Sequence, residues 1–302
     1  MKYIIKKIIT GFWLLLKTIR SSIRILLHSR YQLIEPVGEG RTLIVCGNGP
    51  SLGEQINKYP EIFQNNDVLC VNAMCTTEWF AVVKPKYYCI MDPSAIRDPK
   101  EVTSYVRKHI DAMWDGFNSV DWDMELIVPR YFAKSEFFQE RIKKVRARIR
   151  YINLVPFEGF SIVGDWALRR QLCSIGGQTV VTAAVFYGMC RDYKEIYLLG
   201  AELNWLKSVV VDEDNKLFFD DSHFYGREVR RPMLDEFGNS IRMAEYLGYE
   251  RRSFREYERL EEYSKKRGLK IYNATPNSLV DAFERKHLKS LLVLKIEEET
   301  AG

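Results

Sequence analysis

The chain of 302 residues is 46% hydrophobic and 28% charged, values of a folded globular protein long enough for one generous α/β core, which excludes a disordered or low-complexity polypeptide. Its formal charge of +5 is uneven: residues 1–30 hold seven of the 45 Lys and Arg and no acid, leaving 38 bases against 40 acids in the rest. A near-neutral body argues against a nucleic-acid groove, which needs a basic face, and six cysteines scattered singly, without a CxxC pair, read as reduced core residues rather than a disulfide or zinc framework.

In chain order, residues 1–36 form a basic amphipathic segment. Ile5, Ile8, Ile9, Phe12, Trp13, Leu16, Ile19, Ile23, Leu26 and Leu27 recur at three- and four-residue steps, with Lys6, Lys17, Arg20 and Arg24 beside them. That pattern predicts a helix lying on an anionic membrane surface through residues 1–30. The alternative is a helix packed on the protein's own body or on a second copy, so a homo-oligomer is also expected. The longest uncharged run, residues 8–16, is too short to cross about 30 Å of hydrocarbon, and bases interrupt the place where a signal peptide would be cleaved. The expected location is peripheral, at the cytoplasmic face of the inner membrane.

Residues 37–290 read as one catalytic domain, followed by a tail at 291–302. Short β-rich runs alternate with helical patterns, which predicts an α/β, Rossmann-like fold with a mostly parallel sheet flanked by helices. Strands are expected at 42–46, 68–72, 87–91, 126–128, 151–154, 195–199 and 269–272, and helices at 52–58, 135–148, 178–190, 240–266 and 278–290. In such sheets ligands sit beyond the carboxyl ends of the strands. The residues there are Gly47-Asn48-Gly49-Pro50-Ser51, Asn72, Asp92-Pro93-Ser94, Gly200-Ala201-Glu202 and Asn273 to Ser278.

The two glycines of the first turn let backbone approach a ligand closely, and Ser51 is placed to cap the next helix with its amides facing an anion. The turn is neither a Walker loop nor a full GxGxxG, because Leu52 stands at the third glycine. Asn277 or Ser278 is expected to cap the helix at 278–290. Of four histidines, His223 follows an acidic, turn-rich loop, where a neighbouring carboxylate would suit a general base. Asp121-Trp122-Asp123 and Asp212-Glu213-Asp214 end no strand and read as solvated loops, so no metal site is expected. There is no GxSxG elbow, and no cysteine is set in an electropositive loop. Strand-end position alone puts Gln178, Thr179, Glu202, Asn204 and Trp205 in a substrate pocket.

With these residues placed, the chain resembles the bacterial sialyltransferases that decorate lipooligosaccharides. The matching blocks are Gly47–Leu52, Val71-Asn72, Asp92-Pro93-Ser94, Tyr193 to Leu198 with Gly200, Ser222-His223-Phe224-Tyr225-Gly226, and Pro276 to Leu279. The resemblance implies an inverting transferase that uses a CMP-activated acidic sugar, a sialic acid-like nonulosonic acid or Kdo. It would act on a glycan or lipid-linked acceptor in surface-polysaccharide assembly, with no cofactor. It implies that His223 deprotonates the acceptor and that Tyr225 joins the substrate pocket. Nucleotide contacts would come from Gly47, Asn48, Gly49, Ser51, Asn72, Asp92, Ser94, Asn277 and Ser278. Three features depart from that family: Asp92 replaces an asparagine, Glu202-Leu203-Asn204-Trp205 replaces tyrosines, and Gly176-Gly177-Gln178-Thr179 replaces an arginine. Gly-Gly before a helix and Asp-Pro-Ser after a strand are similar to the domain of motility accessory factors and 6-hydroxymethylpterin diphosphokinase-like proteins. That likeness implies, as the alternative, a diphosphokinase using ATP and magnesium held by Asp92 and Glu202.

Overall fold

Side chains alternate sides along a strand, so a strand apolar on both sides must be covered on both. In β1 (Thr42–Cys46), Leu43 and Val45 enter one core while Ile44 and Cys46 enter the other. The computed structural model describes residues 2–32, 34–98, 100, 102, 104–221, 229–234 and 238–292.

After α1 (Lys2–His28) and β1 come α2 (Ser51–Lys58), α3 (Pro60–Asn65), β2 (Asp67–Val71), α4 (Trp79–Val83), β3 (Tyr87–Cys89), α5 (Ser104–Asn118), β4 (Glu125–Pro129), α6 (Glu136–Ile142) and β5 (Arg148–Ile152). The chain continues through α7 (Ser161–Arg169), α8 (Val180–Cys190), β6 (Glu195–Leu199), β7 (Val209–Val211), β8 (Leu217–Asp221), β9 (Val229–Pro232), α9 (Met243–Arg267), β10 (Lys270–Asn273) and β11 (Glu284–Arg285). Eight strands form a parallel sheet in the order β11-β10-β6-β1-β2-β3-β4-β5. Helices α2 to α6 cover one face and α7 to α9 the other. This is the expected Rossmann-like α/β arrangement.

Strands β1 to β5 step outward in one direction. The chain then returns over α7 and α8 to lay β6 on the other side of β1. The direction of winding therefore reverses between β1 and β6, whose register pairs Cys46 with Leu199. A crevice opens beyond the carboxyl ends at such a reversal. Strands β7, β8 and β9 form a separate antiparallel sheet. Leu217 of that sheet and Ile241 of the following loop pack on Tyr246 at the start of α9.

The strand expectations hold to within a few residues. The helix expected at 278–290 does not form: residues 278–283 are irregular and β11 follows. Ser278, expected as its cap, is drawn into other bonds. Its hydroxyl donates to the Ala201 carbonyl at 2.6 Å and receives the Asn273 side-chain amide and the Val280 amide, both at 3.1 Å. With Leu279 N bonded to the Glu202 carbonyl at 2.7 Å, the segment is a brace beneath the end of β6. The helix expected at 135–148 stops at Ile142, and helices α3, α4, α5 and α7, strand β11 and the β7–β9 sheet were not anticipated.

Candidate functional site

The first turn is built by two close backbone approaches. Gly47 N donates to the Leu199 carbonyl and Gly49 N to the Gly200 carbonyl, each at 2.8 Å. A methyl on Gly47 would strike the Gly200 carbonyl, and one on Gly49 would strike the Glu202 carboxylate. Gly200 itself is left-handed, with φ of 60°, a conformation that costs glycine little. The glycines that follow β1 and β6 are thus mutual requirements of one crossing.

The anion at the start of α2 is supplied by the chain. Glu202 is 5% exposed, and its Oε1 accepts the Ser51 amide at 2.9 Å. Its Oε2 is buried without a partner among the described residues. The carboxylate sits where the positive end of a helix favours negative charge. Ser51 does not cap: Pro50 holds the cap position, and the Ser51 hydroxyl is itself buried without a partner among the described residues.

Beyond β2, Asn72 takes a left-handed φ of 41°, a conformation Asn tolerates better than most residues. Its carbonyl accepts the Tyr88 hydroxyl at 2.6 Å and its side-chain oxygen accepts the Met91 amide at 3.2 Å. That side chain staples the ends of β2 and β3 together. Asp92 follows, accepting the Ser94 amide at 2.8 Å and so capping a short 3-10 turn.

Gly176 and Gly177, with φ of 117° and 148°, lead into α8, which Thr179 caps by accepting the Thr182 amide at 3.2 Å. A second glutamate meets this helix start. Glu256 of α9 accepts the Gln178 amide at 3.0 Å and the Thr182 hydroxyl at 2.6 Å. Arg252 Nε donates to the Gln178 side-chain oxygen at 3.2 Å.

These elements surround a cavity of about 590 Å³. The strand ends contribute Asn48, Gly49, Asn72, Asp92 and Glu202, and the start of α8 contributes Gln178 to Val181. One face of α9 adds Tyr246, Tyr249, Glu250, Ser253 and Tyr257, while Met233 and Ile241 come from the chain beside the small sheet. Asp92, Glu202 and Glu250 line the wall, and no Lys or Arg lines it among the described residues. Burial raises the Glu250 carboxyl above its ordinary value, partly offset by Tyr246. Burial likewise raises the Tyr246 phenol, with the Glu250 charge adding to the effect. Among the described residues no three His, Cys, Asp or Glu side chains come together closely enough to hold a metal ion.

Nine of the residues singled out from the sequence line this cavity: Asn48, Gly49, Asn72, Asp92, Gln178, Thr179, Glu202, Asn204 and Trp205. Gly47, Ser51, Ser94, Asn277 and Ser278 do not line it. His223 and Tyr225 lie outside the described residues. Sequence reasoning missed His109 of α5 and the α9 wall. The signal for the wall was present: Tyr246, Tyr249, Glu250, Ser253 and Tyr257 recur at three- and four-residue steps on one helix.

No protein-family model matches the chain, and no curated protein matches it. Among solved structures, a MAf glycosyltransferase from Magnetospirillum magneticum AMB-1 aligns with 91% of this chain at a TM-score of 0.46 and 10% sequence identity. This chain covers 39% of the length of that protein.

Proposed function

We propose that the protein is a glycosyltransferase that moves an acidic sugar from a CMP-activated donor to a glycan or lipid-linked acceptor. One observation carries this proposal: strand-end blocks far apart in sequence converge on one cavity at the winding reversal, the place where α/β sheets hold nucleotides. In this proposal the nucleotide lies over the Gly47–Gly49 turn and Asn72. The donor sugar faces Gln178, Thr179, Asn204 and Trp205. An inverting transfer forms a bond from the acceptor oxygen to the anomeric carbon, breaks the bond to the phosphate oxygen and releases CMP. His223, assigned on the sialyltransferase resemblance, takes the acceptor proton. General-base loss costs about 10²- to 10⁴-fold in rate, so His223→Ala should fall by that much, and full transfer in that variant removes the assignment.

The charge of the wall favours a second reading. Three carboxylates and no Lys or Arg among the described lining residues would repel bare phosphates. Magnesium is commonly held by one or two carboxylates together with substrate phosphates. In this reading Asp92 and Glu202 would hold the magnesium of a diphosphokinase using ATP. A thermal-shift screen against CMP, CDP, UDP, GDP, ADP and ATP, each with and without magnesium, separates the two. Metal-independent stabilisation by CMP supports glycosyl transfer from a CMP donor, whereas a magnesium-dependent shift with ATP overturns it in favour of the kinase.

A further inference from the structure

Helix α1 is docked on the body by a stripe made mostly of small residues. The positions turned inward are Gly11, Leu14, Thr18, Ser21, Ser22 and Ile25, and apart from Leu14 and Ile25 its large apolar side chains are exposed, with Leu26 77% exposed. A helix that belongs to a protein's own core does the reverse.

The docking is specific. Ser21 Oγ donates to the Glu158 carbonyl at 2.9 Å and accepts the Glu158 amide at 3.0 Å, and Thr18 Oγ1 accepts the Phe160 amide at 2.9 Å. Gly159, at φ of 137°, lies so close to Thr18 that a methyl there would meet the Thr18 backbone at 2.7 Å. The far end is held as well. Arg30 N donates to Asn153 Oδ1 at 3.1 Å while Asn153 Nδ2 donates back to the Arg30 carbonyl at 2.9 Å, and Gln171 brackets Ile34 in the same manner at 2.7 and 3.3 Å. The helix is therefore fixed in direction relative to the body.

The loop gripped by Thr18 and Ser21 leads directly into α7, which buries Gly164, Ala167 and Leu168 and turns Ile162 and Trp166 outward. Ile162 is 83% and Trp166 56% exposed, and Phe160 is exposed at the joint itself. Spacing of four places Ile162 and Trp166 on one helix face. Exposed apolar side chains are thus carried both by α1 and by a second element joined to it through this loop, some 140 residues away in sequence.

We propose that α1 and the outer face of α7 form one composite surface that lies on a bilayer containing acidic phospholipid, with the 158–160 loop as its rigid joint. Charge selects the occupant. Residues 1–30 carry seven bases and no acid, which complements an anionic interface, and Trp and Phe suit the headgroup boundary. No helix among the described residues is long and apolar enough to cross a membrane, so the surface lies on the lipid. The proposal goes beyond the assignment of the cleft and stands whichever donor the cleft takes.

The test is co-sedimentation of the full chain with phosphatidylcholine vesicles, with and without phosphatidylglycerol. The variants are Ile162→Ser/Trp166→Ser on α7 and Ile9→Ser/Trp13→Ser on α1, with thermal melts confirming that each is folded. The expected result is binding to acidic vesicles that weakens with salt and falls at least fivefold in either variant. Wild-type binding by the α7 variant overturns the composite surface. Equal binding to neutral vesicles overturns the role of charge. No vesicle binding, together with a dimer in light scattering that either variant dissociates, assigns the surface to a second copy and overturns the proposal.

Discussion

Helices α8 and α1 are both rich in apolar residues and meet opposite fates. Helix α8, VVTAAVFYGMC, carries no charge and is buried from Val181 to Met189 between the sheet and α9. Gly188 lets it approach so closely that a methyl there would lie 2.5 Å from Leu43. Helix α1 carries comparable apolar bulk but interleaves it with Lys and Arg. An uncharged helix can be covered on every side, whereas a basic one must leave its charged flank in contact with water or an anionic surface. Hydrophobicity decides that a helix needs a partner, and charge decides which partners are possible.

That contrast is tested most severely by placing a charge on α8. Val185 is fully buried, so Val185→Asp introduces an unpaired charge in the core and should cost about 4 kcal/mol or more. Chemical denaturation that shows a loss below about 1 kcal/mol would refute the packing described for this helix.

Glu250 lies between the two extremes, half-buried on α9 and facing the cleft. Its carboxyl is raised by burial, so the folded state favours the protonated form. The stability linked to that proton is complete below the ordinary glutamate value of about 4.3 and is lost as pH rises through the raised folded value. Glu250→Gln, neutral at every pH, should therefore melt above the wild type near pH 7, and the gap should close as pH falls toward 4. A gap that is constant or that widens on acidification would show that burial does not control this group.

The smallest effect belongs to the outer face of α1. Leu26→Ser alters a residue that touches little of the body, and its melting free energy should change by no more than about 0.5 kcal/mol. A core-sized loss would mean that α1 buries this face against protein.

Much of the fold was legible because a doubly covered strand has a local signature. The runs LIVC, VLCV and EIYLL announce themselves without reference to any neighbour, and their order with the intervening helices implies parallel pairing. The strand ends were legible for the same reason, which is why Asn48, Gly49, Asn72, Asp92 and Glu202, chosen from them, line the cavity. The expected helix at 278–290 failed because Ser278 carries a cap's chemistry but finds its partner in Ala201, a residue 77 positions away. No local pattern records that bond.

The sequence by itself determined the alternation of strand and helix and the segregation of basic charge into the first 30 residues, since each depends on neighbours within a few positions. Only the tertiary structure decided that Glu202 fills the helix start where an outside anion was expected, that a face of α9 closes the cavity, and that α1 turns its small polar stripe inward. Those outcomes depend on groups brought together from distant parts of the chain, where the partner available in space, not the propensity of the residue, sets what each side chain does.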